Sequence, residues 1–507
     1  MLNIDKNLNF QSGGKAIDYG GFGCIFKPAL KCKGEGKEGK GGKEGKDRVS
    51  KLMKKKYVKK EYDDIVKFVP YLKKIPKYEK YFLIKDVSIC EPARLSEDDL
   101  YGFDTKCKNL VKMKITNKNI NENSNLNMLA LLNMPYGGIN VDDYIEKTSI
   151  NGNLDYEKMI ELNNGLLELL KNGILPMNKE HIFHCDLKAS NILRDNHMNL
   201  RLIDWGISCI YDGGAYVPKV LESRSLQFNL PFSNILFNNR FYNLYKSFLI
   251  EKKTPSYLDV RNFVINYIFL WIKERGPGHL KTINKIMKYL FEDNIKVENN
   301  EFKENMIEYS YTLHFIVEYI TKIVIKFTKN GGFDKIAYLN IFIKNIDIWG
   351  FTMSYISIVQ IIKRSKKIDK LGLDIIDKIR DIILFLYDFP DKIINTNKLI
   401  DKFKELNIIF KRGVLTSSKR SKFLGKLDSF SQNRTLKTSL REKDNNAKKG
   451  ITAKGITAKS NKDNRNNKTK KKYISWIESM YKTSKNKKKQ EKTRKNKKNK
   501  KELEKQE

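Results

Sequence analysis

Apolar positions along the chain follow two periods. Arg48-Val49-Ser50-Lys51-Leu52-Met53 and Leu129–Met134 read as strands, and Leu200-Arg201-Leu202 alternates as a short strand would. Tyr81–Ile84 and Val111–Ile115 read as further strands. The helical period begins after Lys51, where Glu61, Ile65 and Phe68 share one face. It is clearest in Tyr156–Leu170, where Met159, Leu162, Leu166, Leu167 and Leu170 form a stripe wide enough to be buried. It returns in Tyr311, Phe315, Ile316, Tyr319, Ile320 and Ile323, and again in Leu371–Leu386 and Leu399–Phe410. From about Arg412 the periodicity fades and Ser, Thr, Asn and Lys dominate.

Two features of composition change this picture. The chain has 507 residues and a formal net charge of +39, which points to a polyanionic neighbour or an acidic substrate and says nothing about the fold. Six cysteines are present without a Cys-x-x-Cys pair, so neither a disulfide scaffold nor a zinc site is expected, and a reducing compartment is the better reading. No apolar run is long enough to span a membrane. The nearest, Phe263–Ile272, is interrupted by Asn266 and reads as a core helix. The polar start carries no secretory signal.

The candidate chemistry is concentrated between His184 and Gly206. The stretch reads His184-Cys185-Asp186-Leu187-Lys188-Ala189-Ser190-Asn191-Ile192-Leu193, then Leu200-Arg201-Leu202-Ile203-Asp204-Trp205-Gly206. A loop carrying Asp, Lys and Asn, returned through a hairpin to a second Asp, can place two carboxylates and an amide around Mg-ATP. The bland alternative is a buried His beside a solvated hairpin.

At these residues the chain resembles the eukaryotic-type Ser/Thr protein kinases, and more closely the divergent kinases of large DNA viruses. The resemblance covers about residues 15–410 in motif order. It implies an α+β, bilobal fold with a small β-rich lobe at 1–136 and a large helical lobe at 137–411, while composition alone predicts a basic disordered tail at 412–507. It also implies ATP and Mg2+ as cofactors, with Asp186 as catalytic base, Lys188 neutralising charge on the transferred group, and Asn191 and Asp204 as metal ligands. Lys188, two residues after Asp186, favours a Ser/Thr over a Tyr enzyme. Cys185 and Trp205 depart from the family, which usually has Arg and Phe there.

Other stretches fit the same order. In Tyr19-Gly20-Gly21-Phe22-Gly23, Gly21 and Gly23 would let the backbone approach phosphates, although the family's third glycine is replaced by Phe26. Lys33–Asp47 is a Gly, Lys and Glu run expected to be disordered. Lys51 stands where the family's ATP lysine would be. Glu61 is its best partner, with Asp63 and Asp64 as alternatives and a solvated carboxylate as the plain reading. Met134 to Gly137, with Tyr136 among them, would line the adenine hinge. Asp347-Ile348-Trp349-Gly350-Phe351 resembles the start of the central large-lobe helix, which leaves a helical insert over about 234–340. That insert could be a substrate platform, a partner site or packing. Pro231 falls where the family has Ala-Pro-Glu, but the Glu is missing.

Residues 441–507 hold 25 Lys plus Arg against 8 Asp plus Glu, a balance of +17. Such a segment binds nucleic acid or another polyanion by counterion release, and its Lys runs equally fit a solubilising or nuclear-import tail. The expected function is a monomeric Ser/Thr protein kinase acting on protein substrates in host cytoplasm or virion. The alternatives are a small-molecule phosphotransferase and a kinase-like scaffold that binds nucleic acid or virion components through the tail. Cys185 offers no cationic fork to a phosphorylated loop, so activity without loop phosphorylation is expected, with Lys219 and Arg224 as cations that could serve instead.

Overall fold

The computed structural model describes residues 14–19, 23–34, 47–150, 152–291 and 311–416. The chain separates into Met1–Lys426 and Leu427–Glu507, and the second unit lies outside the described residues. The expected tail at 412–507 therefore falls almost wholly outside them. Its first residues belong to a helix at 396–416, which runs past the boundary expected at 411.

The described fold is mixed α and β. The N-terminal part is a five-stranded antiparallel sheet in the order β1-β2-β3-β5-β4. Its strands are β1 (Lys15–Tyr19), β2 (Gly23–Lys27), β3 (Arg48–Lys54), β4 (Ser88–Cys90) and β5 (Leu129–Pro135). Along β3 and β5 the register pairs Arg48 with Pro135 and Lys54 with Leu129. Helix α1 (Lys55–Leu72) follows β3 directly and buries Val58, Ile65, Phe68 and Leu72. Burying that stripe is what holds an isolated, lysine-rich helix in place.

Three expectations for this part are corrected. Val111–Ile115 is no strand: Lys108–Val111 is a helical turn and the residues after it form turns. Val111, Met113 and Ile115 alternate with Lys112 and Lys114, but five residues are too few for that alternation to fix a strand, and here Leu110 and Ile115 bury into a small core with Phe103 and Ile120. Tyr81–Ile84 makes only one bridge, Phe82 to Leu202. The absence of disulfides also fails, since Cys24 bonds Cys107 and Cys32 bonds Cys90, which ties β2 and the chain after it to residues 90–107. At the edges of the run expected to be disordered, Lys33 donates its N–H to Glu91 O at 2.8 Å and Asp47 forms a helical turn; residues 35–46 lie outside the described residues.

The remainder is helical apart from short hairpins. Helix Tyr156–Leu169 carries its expected buried stripe. It is followed by Ile182–Phe183, the loop from His184 to Asn191, and a hairpin of Ile192–Arg194 with Leu200–Leu202. The insert consists of helices Asn239–Glu251, Tyr257–Arg275, Leu280–Phe291 and Tyr311–Lys326. The central helix Lys335–Met353 is buried along its whole second half.

Around it Trp349 packs against Phe232, Tyr319 and Tyr387 with ring centroids 5.3–5.5 Å apart, largely edge-on. Trp349 has no exposed surface. Trp349→Ala is expected to cost about 3–5 kcal/mol, because the rigid rings around the hole cannot close it. Urea unfolding of the variant beside the parent protein measures this.

Candidate active site

The loop from His184 to Asn191 is shaped by one carboxylate. Asp347, fully buried on the central helix, accepts the N–H of His184 and the N–H of Cys185, both at 2.9 Å. It also accepts Asn178 Nδ2 at 3.1 Å. Burial pushes the Asp347 carboxyl up, against His184 and the two N–H groups that favour its ionised form. Cys185 sits at φ 61°, a left-handed conformation that non-glycine residues hold only when the surroundings impose it. Gly350, one turn on from Asp347, lets the helix approach: a Cβ there would stand 2.4 Å from Leu187 O.

Asp186 emerges from this loop with its carboxylate in a dense set of donors. Lys188 Nζ lies 2.8 Å from Oδ2, Asn191 Nδ2 donates to Oδ2 at 3.2 Å and to the Asp186 carbonyl at 2.9 Å, and Asn229 Nδ2 donates to Oδ1 at 2.8 Å. Burial pushes the Asp186 carboxyl up, but Lys188, Asn229 and His184 outweigh it and hold the group below the ordinary aspartate value. It is therefore an ionised acceptor at neutral pH. Asn229 was not singled out by the sequence. A lone Asn among Leu226, Phe228 and Leu230 carries no signal of its own, and only the fold brings it 43 residues back to the loop.

Asp204 is exposed and also left-handed, at φ 67°. Next to it Trp205 is buried between Phe68, Phe82 and His184, at ring distances of 5.6, 5.8 and 5.1 Å. The Trp205 ring thus joins α1 to the loop. Two turns back along α1 from Phe68, Glu61 takes both its oxygens to Lys51 Nζ at 2.7 Å. Asp63 and Asp64 instead pair with Lys59 and Lys60. The Phe68–Trp205 contact therefore couples the Lys51–Glu61 pair to the Asp204 turn.

Two expected residues stand differently. Gly23 opens β2, where a Cβ would lie 2.5 Å from Leu52 O and 2.1 Å from Met53 Cγ, so packing within the sheet already requires glycine there. Gly21 lies outside the described residues. At the hinge, Met134 is opposite Val49 in the sheet, whereas the Tyr136 N–H is taken by Asp47 O at 2.7 Å and its ring lies under Lys27 Nζ at 3.2 Å.

Cys185 and Cys209 are free thiols, buried, with sulfurs 3.7 Å apart. Burial and the Cys209 contact push the Cys185 thiol up, so it is a packing group and not a thiolate. Among the described residues no cluster of three or more His, Cys, Asp or Glu side chains is placed to hold a metal. Asp204 and the Asn191 amide are nonetheless hard oxygen donors of the kind magnesium takes, one or two at a time, beside substrate phosphates.

No family model matches the chain, and no curated protein matches it.

The Asn229 contact yields a titration prediction. A carboxyl held below its unfolded value contributes stability that is present above the unfolded value and is lost as pH falls through the folded one. Asn229→Ala removes a donor to the ionised form, so the Asp186 carboxyl should titrate at higher pH than in the parent, and the acid loss of stability should begin earlier. Carbon-detected NMR of the aspartate carboxyls over an acid titration reads this directly; an unmoved Asp186 resonance would contradict it.

Proposed function

We propose that the protein is an ATP-dependent Ser/Thr protein kinase with a bilobal kinase-like fold. The observation that carries the reading is the Asp186 carboxylate, kept ionised and aimed by Lys188, Asn191 and Asn229 on a loop pinned by Asp347. The Lys51–Glu61 pair supports it from the sheet.

In this reading Asp186 orients an acceptor hydroxyl and takes its proton, by the geometry a general base requires. Lys188 is released from Asp186 to the transferred phosphoryl oxygens as negative charge gathers there. Lys51, fixed by Glu61, holds the nucleotide phosphates. Asp204 and Asn191 would hold magnesium, which when bound neutralises phosphate charge. Trp205 keeps water from the floor of the site by filling the space between α1 and the loop. Among the described residues no helix is long and apolar enough to cross a membrane.

Asp186→Ala and Asp204→Ala should each lower phosphate transfer to a mixed protein substrate by roughly two to four decades while the proteins melt cooperatively. Undiminished transfer by either folded variant would remove the assignment.

The basic segment 441–507 is proposed to be a polyanion arm. Deleting it should weaken nucleic-acid binding and flatten its salt dependence, because fewer counterions are released. Filter binding to DNA and RNA over a salt series tests this, and equal binding by both forms at low salt would contradict it.

A further inference from the structure

Among the described residues the helical insert meets the short segment Arg224–Phe228 beside the site. Nearly every carbonyl of that segment accepts a hydrogen bond from the insert or from the elements beside it. Trp271 Nε1 donates to Arg224 O at 3.0 Å, Asn234 Nδ2 to Ser225 O at 2.7 Å, the His279 N–H to Leu226 O at 2.8 Å, and Trp349 Nε1 to Phe228 O at 3.2 Å. The His279 ring also packs on Phe228, with centroids 5.5 Å apart. Trp271 is buried on the long insert helix, and His279 stands at the turn into the next one. Such a row of satisfied carbonyls fixes the path of a segment that has no strand partner of its own.

From Arg224 in that segment and from Asn229 just after it, two side chains reach into the catalytic loop. Asn229 meets Asp186 Oδ1 and Leu187 O. Arg224 donates Nη1 to Cys185 O at 3.0 Å and Nη2 to Gln227 Oε1 at 2.5 Å. The Cys185 peptide is thereby gripped at both ends, its N–H by Asp347 and its carbonyl by Arg224. Arg224 is also near enough to Asp186 for their charges to interact. With one donor on each Nη group held by a protein acceptor, it is already ordered without a phosphate to bind. Cys185 leaves no side-chain cation at its own position, and Arg224 supplies a guanidinium to the same peptide from the opposite side.

We propose that the insert is a positioning device for phosphate transfer, and that Arg224, strapped by Trp271, is the positioning residue through which it sets Asp186. The proposal rests on the kinase reading and assigns the insert's role within it. A misplacement of about 1 Å at the base can cost about 100-fold in rate, so a small slackening of the Cys185 peptide is enough to be measured.

The experiment compares full-length parent protein with Arg224→Ala, Arg224→Lys and Trp271→Phe. For each it determines kcat, KM for ATP and for a protein acceptor, and affinity for a fluorescent ATP analogue. Arg224→Ala should lose about 10- to 100-fold in kcat, with analogue affinity unchanged within about 2-fold. Arg224→Lys, which keeps the charge but not the fork, should recover part of the loss. Trp271→Phe keeps an aromatic ring, though a smaller one, and removes one hydrogen bond, and should lower kcat several-fold in the same pattern. Parent activity matched by Arg224→Ala, or a loss of analogue binding in step with kcat, overturns the inference and leaves the kinase reading standing. A parent protein that transfers no phosphate overturns both. If Arg224→Ala does not fold, Arg224→Lys and Trp271→Phe decide: parent-like kcat in both contradicts the proposal.

Discussion

The Asp347 carboxylate is the constraint on which the rest of the site depends. It is buried on the central helix, and two consecutive backbone N–H groups of the loop close on it. Neither N–H has water available, so leaving one unpaired would cost about 1–3 kcal/mol. That cost is what holds Cys185 in its left-handed conformation and turns the chain so that Asp186 faces the donors around it. Everything that gives Asp186 its character then follows from position: Lys188 from two residues along, Asn191 from the helical turn after it, Asn229 from across the fold. The aromatic ring of Trp205 extends the same constraint to α1, where Glu61 fixes Lys51.

Much of this was legible in the sequence because it is local. The interval from Asp186 to Asn191 fits a single loop, and the return to Asp204 through Leu200–Leu202 is an alternating strand. Glu61 was identified because it shares a helix face with Ile65 and Phe68, and both of those residues are buried as that face requires. Asp347 was legible from its Asp-Ile-Trp-Gly context. Other features depend on chain segments far apart. Cys24 and Cys107 are 83 residues from each other, and no spacing rule pairs them. Val111–Ile115 misled because its alternation of apolar residues with Lys112 and Lys114 is too short to separate strand from turn. The contacts of Asn229 and Arg224 with the loop from His184 to Asn191 join segments that lie about 40 residues apart in the chain, and no local pattern marks them.

Cys185 and Trp205, two residues that differ from the kinase pattern read in the sequence, are both taken up by packing. Cys185 is buried against Cys209, and Trp205 fills the space under α1. Arg224 donates to the Cys185 carbonyl while Asp347 accepts the N–H of the same residue, so hydrogen bonds within the protein order this loop.

The most direct measurement is the chemical fate of the ATP γ-phosphate. Purified protein is incubated with γ-labelled ATP, magnesium and a mixture of proteins, and the labelled protein is hydrolysed in acid and separated into its phosphoamino acids. The account predicts label in phosphoserine and phosphothreonine. Label confined to inorganic phosphate, to a small molecule or to phosphotyrosine would contradict it.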